Sequence, residues 1–133
     1  MKRILLVEDD KHLRFLIKEE LIEDGYTVET AADGIEAMAM IQAPGYEEPD
    51  LIILDIRMPR MDGFDVMGHL LKSKLESPII IHTAYTGYKE HPLTMAADAY
   101  VVKSHDFKTL KSAISKLLGK RDPAVYEKQA AQA

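Results

Sequence analysis

Two apolar runs that each stop at an acid constrain this chain most. Ile4-Leu5-Leu6-Val7 leads into Glu8-Asp9-Asp10, and Leu51-Ile52-Ile53-Leu54 leads into Asp55. Strands buried on both faces of a parallel sheet read as near-continuous Val/Ile/Leu runs, whereas half-exposed strands alternate. In open α/β sheets the ligand crevice lies just beyond the carboxyl ends of the strands. Carboxylates that end two such strands therefore share one small volume. Like charges at that range raise each other's pKa. A hard divalent cation with oxygen ligands removes the conflict, and Mg²⁺ is the usual one where phosphate is handled.

The rest of the chain repeats the same unit. Strand candidates fall at residues 3–7, 27–31, 50–54, 78–82 and 99–102, with helical patterns between them. Leu13, Leu16, Ile17 and Leu21 share one helical face, and Gly25 is a natural stop. Asp33 reads as the N-cap of a helix carrying Ile35, Met38, Ala39 and Ile41, which ends at Pro44-Gly45. A third helix is expected from about Phe64 to Lys74, facing in with Val66, Met67, Leu70 and Leu71. The last is expected to start with Asp106 capping Phe107 and to close at Gly119. Between Tyr88 and Ala97 the pattern is poor and Pro92 stands in the middle. That helix either begins at Pro92, where proline is tolerated, or is partly irregular. Five βα units imply right-handed crossovers and a parallel sheet covered on both faces. We expect one domain over residues 1–119, with 120–133 as a C-terminal tail or the start of a linker.

Composition narrows the function. The 133 residues suit one domain, and a net charge of −5 argues against a nucleic-acid-binding module. There is no cysteine, so thiol chemistry and disulfides are excluded. No apolar stretch reaches the roughly 18 residues of a membrane helix, and the first run is too short for a signal-peptide core. The expected location is cytoplasmic. The five histidines are scattered without the i, i+4 spacing of a zinc motif, and no Gly-rich phosphate loop occurs. His82 reads as a satisfied strand histidine.

Four chemical groups now fall at four strand ends: Glu8-Asp9, Asp55, Thr83 and Lys103. Acids to hold a metal, a nucleophilic carboxylate, a hydroxyl donor and an ammonium make a phosphoryl-handling set. Each has a plainer reading alone. Acids after strands are often solvated loop ends, Thr83 a strand-end hydroxyl, Tyr100 a half-buried strand aromatic and Lys103 a surface lysine. Only their common register changes that.

With the stretches Leu6-Val7-Glu8-Asp9-Asp10, Asp55-Ile56-Arg57-Met58-Pro59, Met61-Asp62-Gly63, Thr83-Ala84 and Tyr100-Val101-Val102-Lys103 in this order, the chain resembles the receiver domains of two-component response regulators. The resemblance spans residues 3 to about 119. It implies a CheY-like, flavodoxin-like (βα)5 fold with strand order 2-1-3-4-5. It implies Asp55 as phosphoacceptor from a sensor histidine kinase or phosphotransfer protein. Asp9, Asp55 and the backbone carbonyl of Arg57 would hold Mg²⁺, with Glu8 acting through a bound water. Lys103 would pair with Asp55 and then with the phosphoryl group, while Thr83 and Tyr100 would act as the switch. The face made by the fourth helix, fifth strand and fifth helix would be read by an output partner or domain, or serve a homodimer. His12 and Phe15 on the first helix are candidates for kinase contact. The only chemistry implied is the domain's own phosphorylation and dephosphorylation, so it is not an enzyme in the ordinary sense.

The chain departs from the family pattern at Ser104 and Ala96, which replace a usual proline and glycine. The family's proline commonly follows a cis bond, so the Lys103–Ser104 bond is either trans, with a reshaped loop, or strained. Arg57 and Tyr85 occupy positions that set phosphoryl lifetime in the family, and a long basic chain with a bulky ring predicts a long-lived phosphorylated state. Two other functions compete with this one. A small Mg²⁺-dependent phosphatase would need a general-acid aspartate where Arg57 stands, and an FMN binder would need a Ser/Thr/Gly loop where Glu8-Asp9-Asp10 stands. A receiver-like module that signals by binding alone is the third alternative.

Overall fold

The two runs that end in acids form the middle of the sheet, where burial on both faces requires unbroken apolar sequence. In the computed structural model, which describes residues 1–119, β1 (Arg3–Val7) is flanked by β2 (Thr27–Ala31) and β3 (Leu51–Leu54). Beyond β3 lie β4 (Ile79–Thr83) and β5 (Ala99–Val102), giving five strands in the order 2-1-3-4-5. All four pairings are parallel, and Val7 stands level with Leu54. The register therefore brings Glu8 and Asp55 off the same edge.

Helices α1 (Lys11–Glu23) and α5 (Lys108–Leu118) cover one face of the sheet. Ile17, Leu21, Leu110 and Ile114 pack there with Ile4, Leu6 and Ile53. On the other face α2 (Gly34–Gln42) and α3 (Gly63–Lys72) set Met38, Val66, Met67 and Leu70 against Leu5, Val7, Ile52 and Leu54. Three helices open on the same device, an aspartate whose carboxylate accepts a backbone N–H three residues on. Asp10 does so from Leu13 at 3.0 Å, Asp33 from Glu36 at 2.8 Å and Asp62 from Asp65 at 3.0 Å. Asp10 thus belongs to helix initiation. Gly25 at φ 94° and Gly119 at φ 68° end α1 and α5 in the left-handed region that glycine tolerates.

Several boundaries moved. The third helix stops at Lys72, not Lys74, because the Ser73 hydroxyl donates to the Leu70 carbonyl at 2.7 Å and closes the last turn. Strand β4 extends one residue past expectation and includes Thr83. Phe107 lies outside α5 at φ −111°. Asp106 still binds the helix start, accepting from Lys108 N at 3.0 Å, while Ser104 Oγ donates to the Asp106 carbonyl at 2.9 Å. That local turn delays the helix by one residue. No cis peptide bond occurs among the described residues, so Lys103–Ser104 is trans. The poor fourth pattern becomes α4 (Pro92–Met95), a single turn with proline first and the His91 Nδ1 accepting from Leu93 N at 3.2 Å. Both readings of that segment hold: the turn starts at Pro92 and residues before it are irregular. Ala96 sits at φ −78°, a right-handed conformation in which alanine carries no strain. The tail expected over 120–133 lies outside the described residues.

Candidate functional site

At the carboxyl edge the chain has to bury charge. Glu8 is 1% exposed and Asp55 5%. Oxygens of Glu8, Asp9 and Asp55 lie within 4.8 Å of one another. Lys103, the first residue after β5, reaches back between them. Its Nζ is 2.8 Å from Glu8 Oε1 and 2.8 Å from Asp55 Oδ2. The other Asp55 oxygen accepts from Ile56 N at 2.7 Å, which fixes the carboxylate plane.

The electrostatics follow from burial. Desolvation pushes Glu8 up to about 7 despite the Lys103 hydrogen bond, and the neighbouring Asp55 charge adds to it. Burial works against the Lys103 ammonium, but its hydrogen bonds to Asp55 and Glu8 outweigh that and its pKa is raised. One ammonium thus serves two carboxylates, and a third stands beside them. The three-acid set has the charge and the oxygen donors that suit a hard cation, which is a test the pocket passes on its own geometry.

Thr83 is fully buried at the end of β4, level with Val102, and its carbonyl accepts from Lys103 N at 2.7 Å. The Tyr100 hydroxyl donates to the Tyr85 carbonyl, bridging β5 to the loop after β4. In that loop rings replace regular hydrogen bonding. The Arg57 guanidinium lies 4.7 Å over the Tyr85 ring, Tyr85 leans on Tyr88 at 5.9 Å, and Tyr88 meets Phe64 edge-on at 5.2 Å. Phe64 in turn stacks on His91 at 4.0 Å. Gly63 lets the loop after Asp55 turn back. A Cβ there would stand 2.3 Å from the Asp55 carbonyl oxygen and 2.6 Å from Ile56 Cα.

The structure therefore brings together Glu8, Asp9, Asp55 and Lys103, and sets Thr83 and Tyr100 on the two strands beside them. Arg57 is exposed, with its side chain on Tyr85. His12 and Phe15 lie apart on the exposed side of α1. Sequence reasoning missed Arg14, whose guanidinium donates to the Glu8 carbonyl at 2.8 Å and the Asp9 carbonyl at 3.3 Å. Its signal was a basic residue one turn into the helix that follows the acids.

His82 is 4% exposed on the strand next to the pocket, and burial, with Lys103 nearby, lowers its pKa to about 4. Unfolded histidine binds a proton near pH 6.5, whereas this one resists until about 4. The unfolded state therefore binds more protons in that window, and stability falls as pH drops through it. The cost should reach about 3 kcal/mol near pH 4. Glu8, raised to about 7, pulls the other way as it protonates. Urea melts of wild type and His82→Leu at pH 7 and pH 4.5 separate the two. The wild type is expected to lose more stability than the variant, and equal losses would refute the assignment.

A doubly wound α/β domain with a carboxylate cluster and a lysine on its carboxyl edge defines the class of aspartate-centred signalling receivers. The response regulator receiver domain profile matches residues 4–115, and the chain belongs to that family: it is a receiver domain of the two-component type. The response regulator MprA of Mycobacterium ulcerans is 37% identical over 118 residues, 87% of this chain and 50% of that protein. A probable transcriptional regulator, ycf27 of Cyanophora paradoxa, is 40% identical over 119 residues, 88% of this chain and 48% of its own length. The chain thus spans about half the length of these curated relatives. Among solved structures, response regulator TrrA of Thermotoga maritima with Mg²⁺-BeF matches at a TM-score of 0.81 with 47% identity, covering 89% of this chain and all of that one. TrrA in complex with the histidine kinase ThkA matches at 0.78 and 47% identity, covering 89% and 99%.

Proposed function

We infer that this domain accepts a phosphoryl group on Asp55 from a phosphohistidine donor, and that the new charge changes the α4-β5-α5 face. The carrying observation is the Asp55 carboxylate, held by Ile56 N and Lys103 Nζ beside two further acids. One oxygen is fixed, and the other is paired with a cation that can follow the transferred group. Mg²⁺, held by Asp9, Asp55 and the Arg57 carbonyl with Glu8 through a water, would neutralise phosphoryl oxygens when bound. Lys103 moves its ion pair from Asp55 to a phosphoryl oxygen. Thr83 donates its hydroxyl to the same group, and Tyr100 follows. A dianionic group gained and two hydroxyls redirected make a two-state charge switch.

The partner that supplies phosphate is a sensor histidine kinase or phosphotransfer protein, in keeping with the kinase complex of TrrA. The reader is a downstream partner or output domain, with homodimer formation through the same face as one form of readout. In this reading residues 1–119 are the switch, 120–133 a tail or linker, and the setting is cytoplasmic. No helix among the described residues is long and apolar enough to cross a membrane. Intact mass after incubation with Mg²⁺ and acetyl phosphate tests the reading: one phosphoryl group is expected, and none when chelator precedes the donor.

The Arg57–Tyr85 pair supports a slow phosphatase step, because each stands two residues past a strand end of the site, Asp55 and Thr83, and their contact adds bulk where water would approach. Arg57→Ala and Tyr85→Ala are each expected to shorten the phosphoryl half-life severalfold once donor is removed. A wild-type label that vanishes as fast as in the variants would remove this part of the reading.

A further inference from the structure

Arg60 is the one non-glycine among the described residues with a positive φ, at 67°. Arginine carries no intrinsic preference for that region, and such conformations persist only where the surroundings over-determine them. Here the surroundings are specific. Met61 N donates to the Pro59 carbonyl at 2.8 Å across Arg60, the i to i+2 bond of a γ-turn, which at positive φ is the rare and strained form. The Arg60 Nη2 lies 2.8 Å from Asp33 Oδ2. Asp33 is itself held, because its other oxygen caps α2 through Glu36 N. Just beside it, a Cβ on Gly34 would meet the Met61 carbonyl at 2.5 Å, so the turn is pressed against the first residue of α2. This turn closes the loop that begins at Asp55 and carries the Arg57 carbonyl.

We propose that Arg60 is a positioning residue for the metal site: its clasp on Asp33 holds the β3–α3 loop against the start of α2 and so aims the Arg57 carbonyl at the carboxylates. The proposal rests on the reading that this carbonyl is a Mg²⁺ ligand. Arg60 touches neither metal nor phosphate; it acts through the backbone three residues before it. The clasp also accounts for a side chain at a position where glycine would be relaxed.

The test is Mg²⁺ affinity, measured by amide NMR titration of the wild type, Arg60→Gly, Asp33→Asn and the double variant. Glycine suits the positive φ, and asparagine still caps a helix, so each change removes the ion pair and little else. Both single variants are expected to bind Mg²⁺ about three- to tenfold more weakly, at or below the usual loss from outer-shell changes. The double variant should lose no more than either one. Phosphorylation by acetyl phosphate should slow at limiting Mg²⁺ and recover at saturating Mg²⁺. A pure long-range charge effect predicts opposite signs, with Arg60→Gly tightening and Asp33→Asn weakening, and that result would overturn the proposal. So would affinities unchanged in both variants while Asp9→Asn abolishes binding, which leaves the metal reading intact. A wild type that binds no Mg²⁺ overturns both.

Discussion

Asp55→Asn is expected to take no phosphoryl group at all, under conditions in which the wild type gains one. The amide keeps the shape and its oxygen can still accept the Ile56 N–H bond, so the fold should be unchanged. What disappears is the nucleophile. An amide oxygen is far less basic than a carboxylate oxygen and cannot open the phosphohistidine or acetyl phosphate bond at a useful rate. The variant also removes one charge from a cluster whose oxygens lie within 4.8 Å. Glu8 then loses one cause of its raised pKa and keeps more of Lys103. Mass spectrometry reads the missing phosphoryl group, and a urea melt reads a stability equal to or slightly above that of wild type without Mg²⁺. Phosphate found on another residue of the variant would place the acceptor elsewhere and end the reading.

Lys103→Met should produce the second large effect, and it separates two roles of the same ammonium. Methionine keeps the length of the stem and removes the charge. Without divalent cation, Glu8 and Asp55, both buried, then face each other with no counter-ion. Removing one partner of a buried ion pair costs about 3–5 kcal/mol, and here the lysine is 20% exposed, so about 2–3 kcal/mol at pH 8 is expected. The deficit should shrink as pH falls, because Glu8 protonates readily once its cation is gone. It should also shrink on adding Mg²⁺, which takes over the neutralising role. Mg²⁺ affinity is expected to rise, since the ammonium no longer competes for the same oxygens. Phosphorylation of the variant should nevertheless leave the amides of β5 and α4 unshifted, as no cation follows the phosphoryl group. Stability unaffected by pH or Mg²⁺ would show that the pocket does not depend on Lys103 for charge balance.

The parts of this molecule that could be read early are those whose cause is local. Leu51–Leu54 has only one comfortable environment, and Asp33 before Gly34 reads directly as a helix cap. The strand ends then followed from the runs, and with them Glu8, Asp9, Asp55 and Lys103 in one place. The harder features depend on contacts distant in sequence. Arg60 looks like an ordinary exposed basic residue until the fold puts Asp33 beside it. Arg14 acts on carbonyls, which no side-chain motif advertises. Residues 84–91 carry rings rather than periodicity, so their order comes from Phe64 on another element. The one-residue shift of the start of α5, from Phe107 to Lys108, accompanies a turn made by the Ser104 hydroxyl, which no helix-start rule anticipates.

Because α4 is a single turn, the loop between β4 and β5 is ordered by Tyr85, Tyr88, Phe64 and His91 and owes little to helical hydrogen bonding. The sheet and this loop therefore draw mainly on different residues. The sheet, built from aliphatic runs, supplies the global stability. The ring cluster lies at the margin of the core, so changes in it should cost less stability than changes in the sheet. A lineage could diversify such a domain by exchanging aromatic residues there while the acids and lysine at the ends of β1, β3 and β5 are inherited intact, and at Tyr85 the exchange would reach the phosphoryl lifetime as well.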